Sequence, residues 1–385
     1  MKVVLSTTGR FHHFELGLQL SQTGDLHTLF TGLPRFRTRH EKLDSRYIRS
    51  FPWIETPRHG LIRAGLPDGF LLREIEYRGK RAFDAYVARA MPSADIFMGL
   101  SGSALLSGSA ARSKGMRYVA DRASAHIRFQ DRILREEYAL QGIPFHGIDP
   151  RVVALEEGEY DLADVVTIPS RFAARSFVEM GVPEHKIRIV PFGVHLERFK
   201  QTELPSPARF DILFAGLASV QKGVPYLVEA FRAFRHPGKR LTFAGRVAPE
   251  LKAVLAAQLR GLPVRFLGSL SHMDLARVMS ASHVMVLPSV QEGLAYVQAQ
   301  ALACGCPVIG TTNTGAEDIF THGREGFILP IRDAGAITRA MEALADDEPR
   351  RLEMSEAGMR SAAQMGGWGV YAGKVRRLFE ELTRK

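Results

Sequence analysis

The stretch "HVMVLPSVQEGLAYVQAQALACGCPVIGT", His283 to Thr311, decides the fold. A short apolar run rich in valine enters a polar turn, a small-residue segment of helical period follows, and a second apolar run closes on Gly and Thr. Apolar runs of strand length joined by a helical segment are the mark of a parallel sheet with crossover helices.

The same alternation extends in both directions. "KVVLS", "HTLFTG", "DIFMG", "RYVAD", "DVVTIPS" and "IRIVPFG" are strand candidates in the first half, and "DILFAG", "RLTFAG", "VRFLGS", "HVMVLPS", "PVIGT" and "GFILP" in the second. Between the two sets lies the proline-bearing polar stretch that ends "QTELPSPARF". At 385 residues the chain is longer than one core usually serves, so two domains are expected. The boundaries are residues 1–195, a linker at 196–209, a second domain at 210–366 and a terminal amphipathic helix at 367–385 packing back on the first domain. The fold class is α/β, with two Rossmann-like doubly wound domains facing a cleft. Ligands in such sheets bind beyond the carboxyl ends of the strands.

Composition excludes several alternatives. Apolar residues make up 45% and charged residues 24%, the balance of a globular protein, and no apolar run is long enough to span a membrane. The N-terminus lacks the order of a signal peptide and reads as a buried strand. Cys304 and Cys306, two apart, are too close to staple a fold and read as small buried residues in a reducing, cytoplasmic setting. Of the net charge of +10, most falls in residues 1–130, where 20 Lys and Arg face 11 Asp and Glu. "RFRTRHEK" (Arg35–Lys42) and "YRGKRAFDAYVAR" (Tyr77–Arg89) carry much of it, which suits an anionic membrane face or a phosphate-bearing substrate. Nucleic acid is not expected, because no zinc-finger, RNP or helix-turn-helix pattern accompanies the charge.

Glu292 stands where the first strand's turn meets a helix start, whose amides favour an anion. An acid there would repel a phosphate if it faced it, so it is expected to meet something hydroxylated beside the phosphate. A sugar joined to a diphosphate has that chemistry.

These residues, with the following "GCPVIG" strand and "NTGAED" loop, resemble the E-x7-E motif region of family-four retaining glycosyltransferases of GT-B fold. "FAGLASVQKGVPYLVEAF" (Phe214–Phe231) is similar to that family's Lys-Gly loop, and Ile168–Phe199 to its approach to the hinge. The resemblance implies transfer of a sugar from a nucleotide-diphosphate donor to a hydroxyl of a glycan or lipid-linked acceptor, with retention. It implies roles for Glu292 on the sugar, Lys222 on the diphosphate, and the amides of Gly293, Leu294 and Ala295 on the distal phosphate. Gly9 and Gly216 fall at glycine-bearing strand ends, Glu317 near the sugar loop, and His126 over the reaction centre. No cofactor and no metal are expected, since no Asp-x-Asp dyad suits a divalent ion at the donor. Assembly of cell-surface polysaccharide or glycolipid, peripheral on the inner membrane face, is the expected setting.

Three positions depart from that pattern. The second motif acid is Gln300, the arginine before the Lys-Gly loop is Leu217, and the hinge reads Phe192-Gly193-Val194-His195. Arg246 is the residue expected to make good the lost cation. The rival reading is a non-catalytic GT-B scaffold that binds a nucleotide sugar or a partner transferase.

Overall fold

The computed structural model describes residues 1–53, 60 and 69–384. The first sheet has seven strands: β1 (Val3–Thr7), β2 (Leu26–Thr31), β3 (Ile48–Ser50), β4 (Ile96–Leu100), β5 (Arg117–Asp121), β6 (Val165–Ile168) and β7 (Ile187–Ile189), in the order β3-β2-β1-β4-β5-β6-β7. The second has six: β8 (Phe210–Ala215), β9 (Lys239–Ala244), β10 (Val264–Gly268), β11 (Val284–Leu287), β12 (Val308–Thr311) and β13 (Gly326–Leu329), in the order β10-β9-β8-β11-β12-β13. Every ladder in both is parallel. Strand order therefore reverses between β1 and β4 in one sheet and between β8 and β11 in the other.

Twelve of these strands coincide with the apolar runs of the sequence. The exception is β3, a three-residue edge strand reading Ile-Arg-Ser. Its pairing with Leu29–Thr31 comes from the chain's return to the sheet edge, and no apolar run announces it.

Both faces of each sheet are covered, as parallel sheets require. In the first domain Val4, Phe97, Tyr118 and Phe177 lie on one face, and Val3, Leu5, Ile96 and Val119 on the other. The final helix, Trp368–Thr383, completes that second face by burying Tyr371, Val375, Leu378 and Phe379. Arg376 anchors it to Asp25 at 2.8 Å. The last helix in sequence thus belongs to the first domain's core.

A separate cluster joins the domains: Ala125, Phe129, Ile133, Leu134 and Phe172 from the first pack with Val290, Tyr226 and Ile331 from the second. Polar contacts surround it. Arg332, the one non-glycine residue with positive φ (64°) among the described residues, donates to the buried carboxylate of Glu137 at 2.7 Å. Arg171 meets Asp318 at 3.0 Å, and Ser170 Oγ donates to the Gly293 carbonyl at 2.6 Å.

Glu137 is fully buried, so removing its cation strands a charge away from water. Arg332→Ala is expected to destabilise the chain by roughly 3–5 kcal/mol, measured as a lowered urea midpoint; a midpoint within error of wild type would refute this account of the interface.

Candidate functional site

At the strand-order reversal of the second sheet, the loops after β8 and β11 diverge and leave a cleft. It has a volume of about 490 Å³ and is lined by Gly216, Leu217, Lys222, Arg246, Glu292 and Tyr296, among others. Lys222 and Glu292 form an ion pair at its mouth.

The pair is held by the turns that carry it. Gly223 adopts a left-handed conformation (φ 66°) before the helix Val224–Ala233, and a Cβ there would lie 1.9 Å from the Pro288 carbonyl. The two loops, apart at the cleft, come into contact here, where only glycine fits. Val290 N–H donates to the Gln221 carbonyl at 2.9 Å, and the Gln221 amide donates to Gln291 Oε1 at 2.9 Å. Ser289 Oγ donates to Glu292 Oε1 at 3.1 Å, which fixes the carboxylate's direction.

The pair can do two things. A diphosphate would take Lys222 as a point charge, and hydroxyls would take the carboxylate released from it. Arg246, exposed after β9, lines the wall shared with Leu217 and has no ion-pair partner among the described residues. It stands where a second cation could reach the same anion.

The helix beyond Glu292 starts later than its sequence suggests. It runs from Val297 to Ala303, and Gly293 to Tyr296 are irregular. Ala295 N–H donates to the Thr314 carbonyl at 3.0 Å, so its amide is already engaged, contrary to expectation. The amides of Gly293 and Leu294 make no hydrogen bond among the described residues. Gln300 is half-buried on the helix and does not line the cleft; buried Gln298 instead ties the helix to Ala295 and Thr314 through its side chain. Glu317 is drawn across the domain boundary into an ion pair with Arg175 at 2.5 Å. A sequence reading had no signal for that partner, which lies over a hundred residues away.

His126 requires a correction. It was expected over the reaction centre, but its ring is packed between Tyr160 and Phe177 inside the first domain. It caps the helix Ile127–Leu140, with Nδ1 accepting from Arg128 N–H at 3.2 Å. Burial lowers its basicity to about 4 against the opposing pull of Glu157. The histidine at the cleft end of this sheet is His12, whose Nε2 lies 2.6 Å from Asp121 at the end of β5. Gly9, in the same β1 loop, does not line the cleft of the second domain. The glycine-bearing turn after β4 is likewise closed to anions: the Gly102 and Ala104 amides both donate to Glu159 at 2.7 Å. Burial, then Glu156, pushes that carboxyl well above its usual range.

Residues 209–347, covering the second sheet, match the model of the family described as "Glycosyl transferases group 1". The D-inositol 3-phosphate glycosyltransferase of Pseudarthrobacter chlorophenolicus is 30% identical over 242 residues, 58% of this chain and 57% of that protein. The amylovoran biosynthesis glycosyltransferase AmsK of Erwinia amylovora is 26% identical over 56% of this chain and 58% of its own length. The chain thus spans less than three fifths of the length of these relatives, 57% and 58%. Among solved structures, sucrose-phosphate synthase from Thermosynechococcus elongatus superposes with a TM-score of 0.72 at 20% identity, covering 100% of this chain and 99% of that one. Anabaena HepE in complex with UDP and glucose gives 0.71 at 14% identity, over 99% and 100%. The fold is GT-B.

Two outcomes follow from the site. A Cβ on Gly293 would lie 2.1 Å from the Ala123 carbonyl of the facing domain. Gly293→Ala is expected to force the domains apart, at about 1–3 kcal/mol of stability, and to raise the radius of gyration in solution scattering; an unchanged scattering curve contradicts the close approach. His126 and His283 are both held neutral, each lowered to about 4 chiefly by burial. The unfolded chain takes up protons near pH 6.5 while the folded one does not, so these groups contribute full stability above about pH 6.5 and lose it as pH falls toward about 4. Urea midpoints across that window should fall, and fall less in His126→Gln.

Proposed function

We propose that the chain is a retaining glycosyltransferase that moves a sugar from a nucleotide-diphosphate donor to a hydroxyl of a glycan or lipid-linked acceptor. The observation that carries this reading is the Lys222–Glu292 pair at the strand-order reversal of the second sheet. A donor satisfies both partners at once: its diphosphate replaces Glu292 at the ammonium, and its sugar hydroxyls donate to the carboxylate. The group 1 match and the names of the relatives support it, as does the UDP and glucose held by the Anabaena protein of the same fold.

In this reading Lys222 and Arg246 stabilise negative charge as it builds on the departing phosphate, where a metal ion acts in other designs. Free amides at Gly293 and Leu294 add donors on the same side. Domain closure brings the acceptor from the first domain and excludes water. The leaving phosphate itself takes the acceptor proton, because no side chain at the cleft is placed as a covalent nucleophile among the described residues.

The acceptor side carries a basic hollow of about 400 Å³ lined by Arg35, Arg39 and Arg46 with Thr38, Ser45 and Ser50. Phe36 and Trp53 nearby are 62% and 74% exposed. That combination supports an acceptor bearing phosphate at an anionic, cytoplasmic membrane face. The second basic stretch contributes less, since Arg78 and Lys80 are paired with Glu74 and Glu76. No helix among the described residues is long and apolar enough to cross a membrane.

Thermal shift with UDP-, GDP- and ADP-sugars, on wild type and Lys222→Ala, tests the proposal. One nucleotide class is expected to raise the midpoint, with about 10–100-fold weaker binding in the variant, the worth of a charge-assisted contact. Without donor the variant should melt near wild type, because a partly exposed ion pair contributes only about 0–1 kcal/mol. Binding without product on any acceptor would favour the scaffold reading, in which Leu217 and Gln300 mark a donor site that no longer turns over.

A further inference from the structure

A second cluster lies at the strand-order reversal of the first sheet, outside the donor cleft. His12 ends the β1 loop, His13 opens the helix His13–Gln22, and Asp121 is the last residue of β5. Their ligand-type atoms all lie within 4.8 Å of one another. His12 Nε2 is 2.6 Å and His13 Nε2 is 3.7 Å from the same oxygen, Asp121 Oδ2.

His13 is the anomaly. It is fully buried, yet neither ring nitrogen has a hydrogen-bond partner. Leaving a buried imidazole unpaired costs about 1–3 kcal/mol, a penalty that a missing partner between His13 and Asp121 would remove.

The other two groups are already oriented. Thr167 Oγ1 donates to Asp121 Oδ1 at 2.7 Å, leaving Oδ2 to the histidines. Burial raises the Asp121 carboxyl, but the charge and hydrogen bond of His12, with smaller help from His13 and Thr167, bring it below its usual value. His12 is stacked on Phe192 of the hinge at 4.0 Å. Such outer contacts fix the ligands of a metal centre.

We propose that His12, His13 and Asp121 form a binding site for a divalent transition-metal ion of the Zn²⁺ class. Two imidazole nitrogens and one carboxylate oxygen suit Zn²⁺ and its neighbours, not the all-oxygen preference of Mg²⁺ or Ca²⁺. Ligand atoms at ~2.0–2.2 Å from a tetrahedral ion stand about 3.3 Å apart. Reaching that geometry needs His12 Nε2 to withdraw from Asp121 by well under an ångström, His13 Nε2 to approach it by a few tenths, and the two histidine nitrogens to settle at the same spacing from within 4.8 Å of each other. A fourth position remains for water. The ion would cross-link the β1 loop to the end of β5 directly beneath Phe192, and so stiffen the first domain where the hinge leaves it. This site is independent of the donor chemistry: none of its three residues lines the donor cleft.

The full chain, dialysed against chelator and then reloaded with ZnCl2, is assayed for bound metal and for thermal midpoint, with Co²⁺ substituted as a visible-absorption probe. The site predicts about one ion per chain, a raised midpoint, and the d–d bands of a low-symmetry nitrogen–oxygen site. His12→Gln and His13→Gln should each weaken the metal at least about tenfold, while His126→Gln leaves it unchanged. If His13→Gln fails to fold, His12→Gln and the wild-type Co²⁺ spectrum carry the test. Wild type that retains no Zn²⁺ after reloading, or Zn²⁺ held equally tightly by the His12 variant, overturns the proposal.

Discussion

Parallel strand pairing is the constraint on which the rest of this molecule depends. Each strand must be followed by a helical return, so all strand carboxyl ends of a sheet point one way and their loops gather along one edge. Where strand order reverses, neighbouring loops run to opposite faces and cannot fill the space between them. The second sheet reverses between β8 and β11, which brings together Lys222 and Glu292, seventy residues apart. The first reverses between β1 and β4, which brings the β1 loop with His12 and His13 close to Asp121 at the end of β5. Both polar clusters follow from the same topological fact.

The two reversal points are treated differently by the side chains around them. In the second domain the space is open, its amides at Gly293 and Leu294 make no hydrogen bond among the described residues, and Lys222 and Arg246 line it. In the first, Glu159 occupies the amides after β4, and Asp84 takes those of Leu106 and Ser107 at 2.7 and 2.8 Å. The first domain thus closes with its own acids the kind of amide cradle that the second leaves open. This asymmetry distinguishes two domains that share the same parallel α/β plan.

Closure is built into covalent geometry as well as into charge. Gly293 lies against the Ala123 carbonyl, Ser170 reaches the Gly293 carbonyl, and Arg171 and Arg175 hold Asp318 and Glu317. The loop that carries Glu292 is therefore also the loop that touches the facing domain. The position of the Glu292 carboxylate and the apposition of the domains are coupled through a few residues, so a change in one must be felt by the other.

The amino-acid sequence by itself determined the α/β alternation, twelve of the strands, the break between domains, and the prominence of Lys222 and Glu292, because those depend on hydrophobic period and on local turn chemistry. It also marked Leu217 and Gln300 as departures, since a residue type can be read without coordinates. It did not determine β3, whose three residues pair only because the chain returns to an edge, nor the late start of the helix at Val297, where Ala295 and Glu292 spend their amides on Thr314 and Asn313. The burial of His126, the capture of Glu317 by Arg175 and the meeting of His12 and His13 with Asp121 were decided by the tertiary structure alone. Each joins groups far apart in the chain, and the energy of a side chain depends on which partners surround it and how far water is excluded, neither of which local sequence encodes.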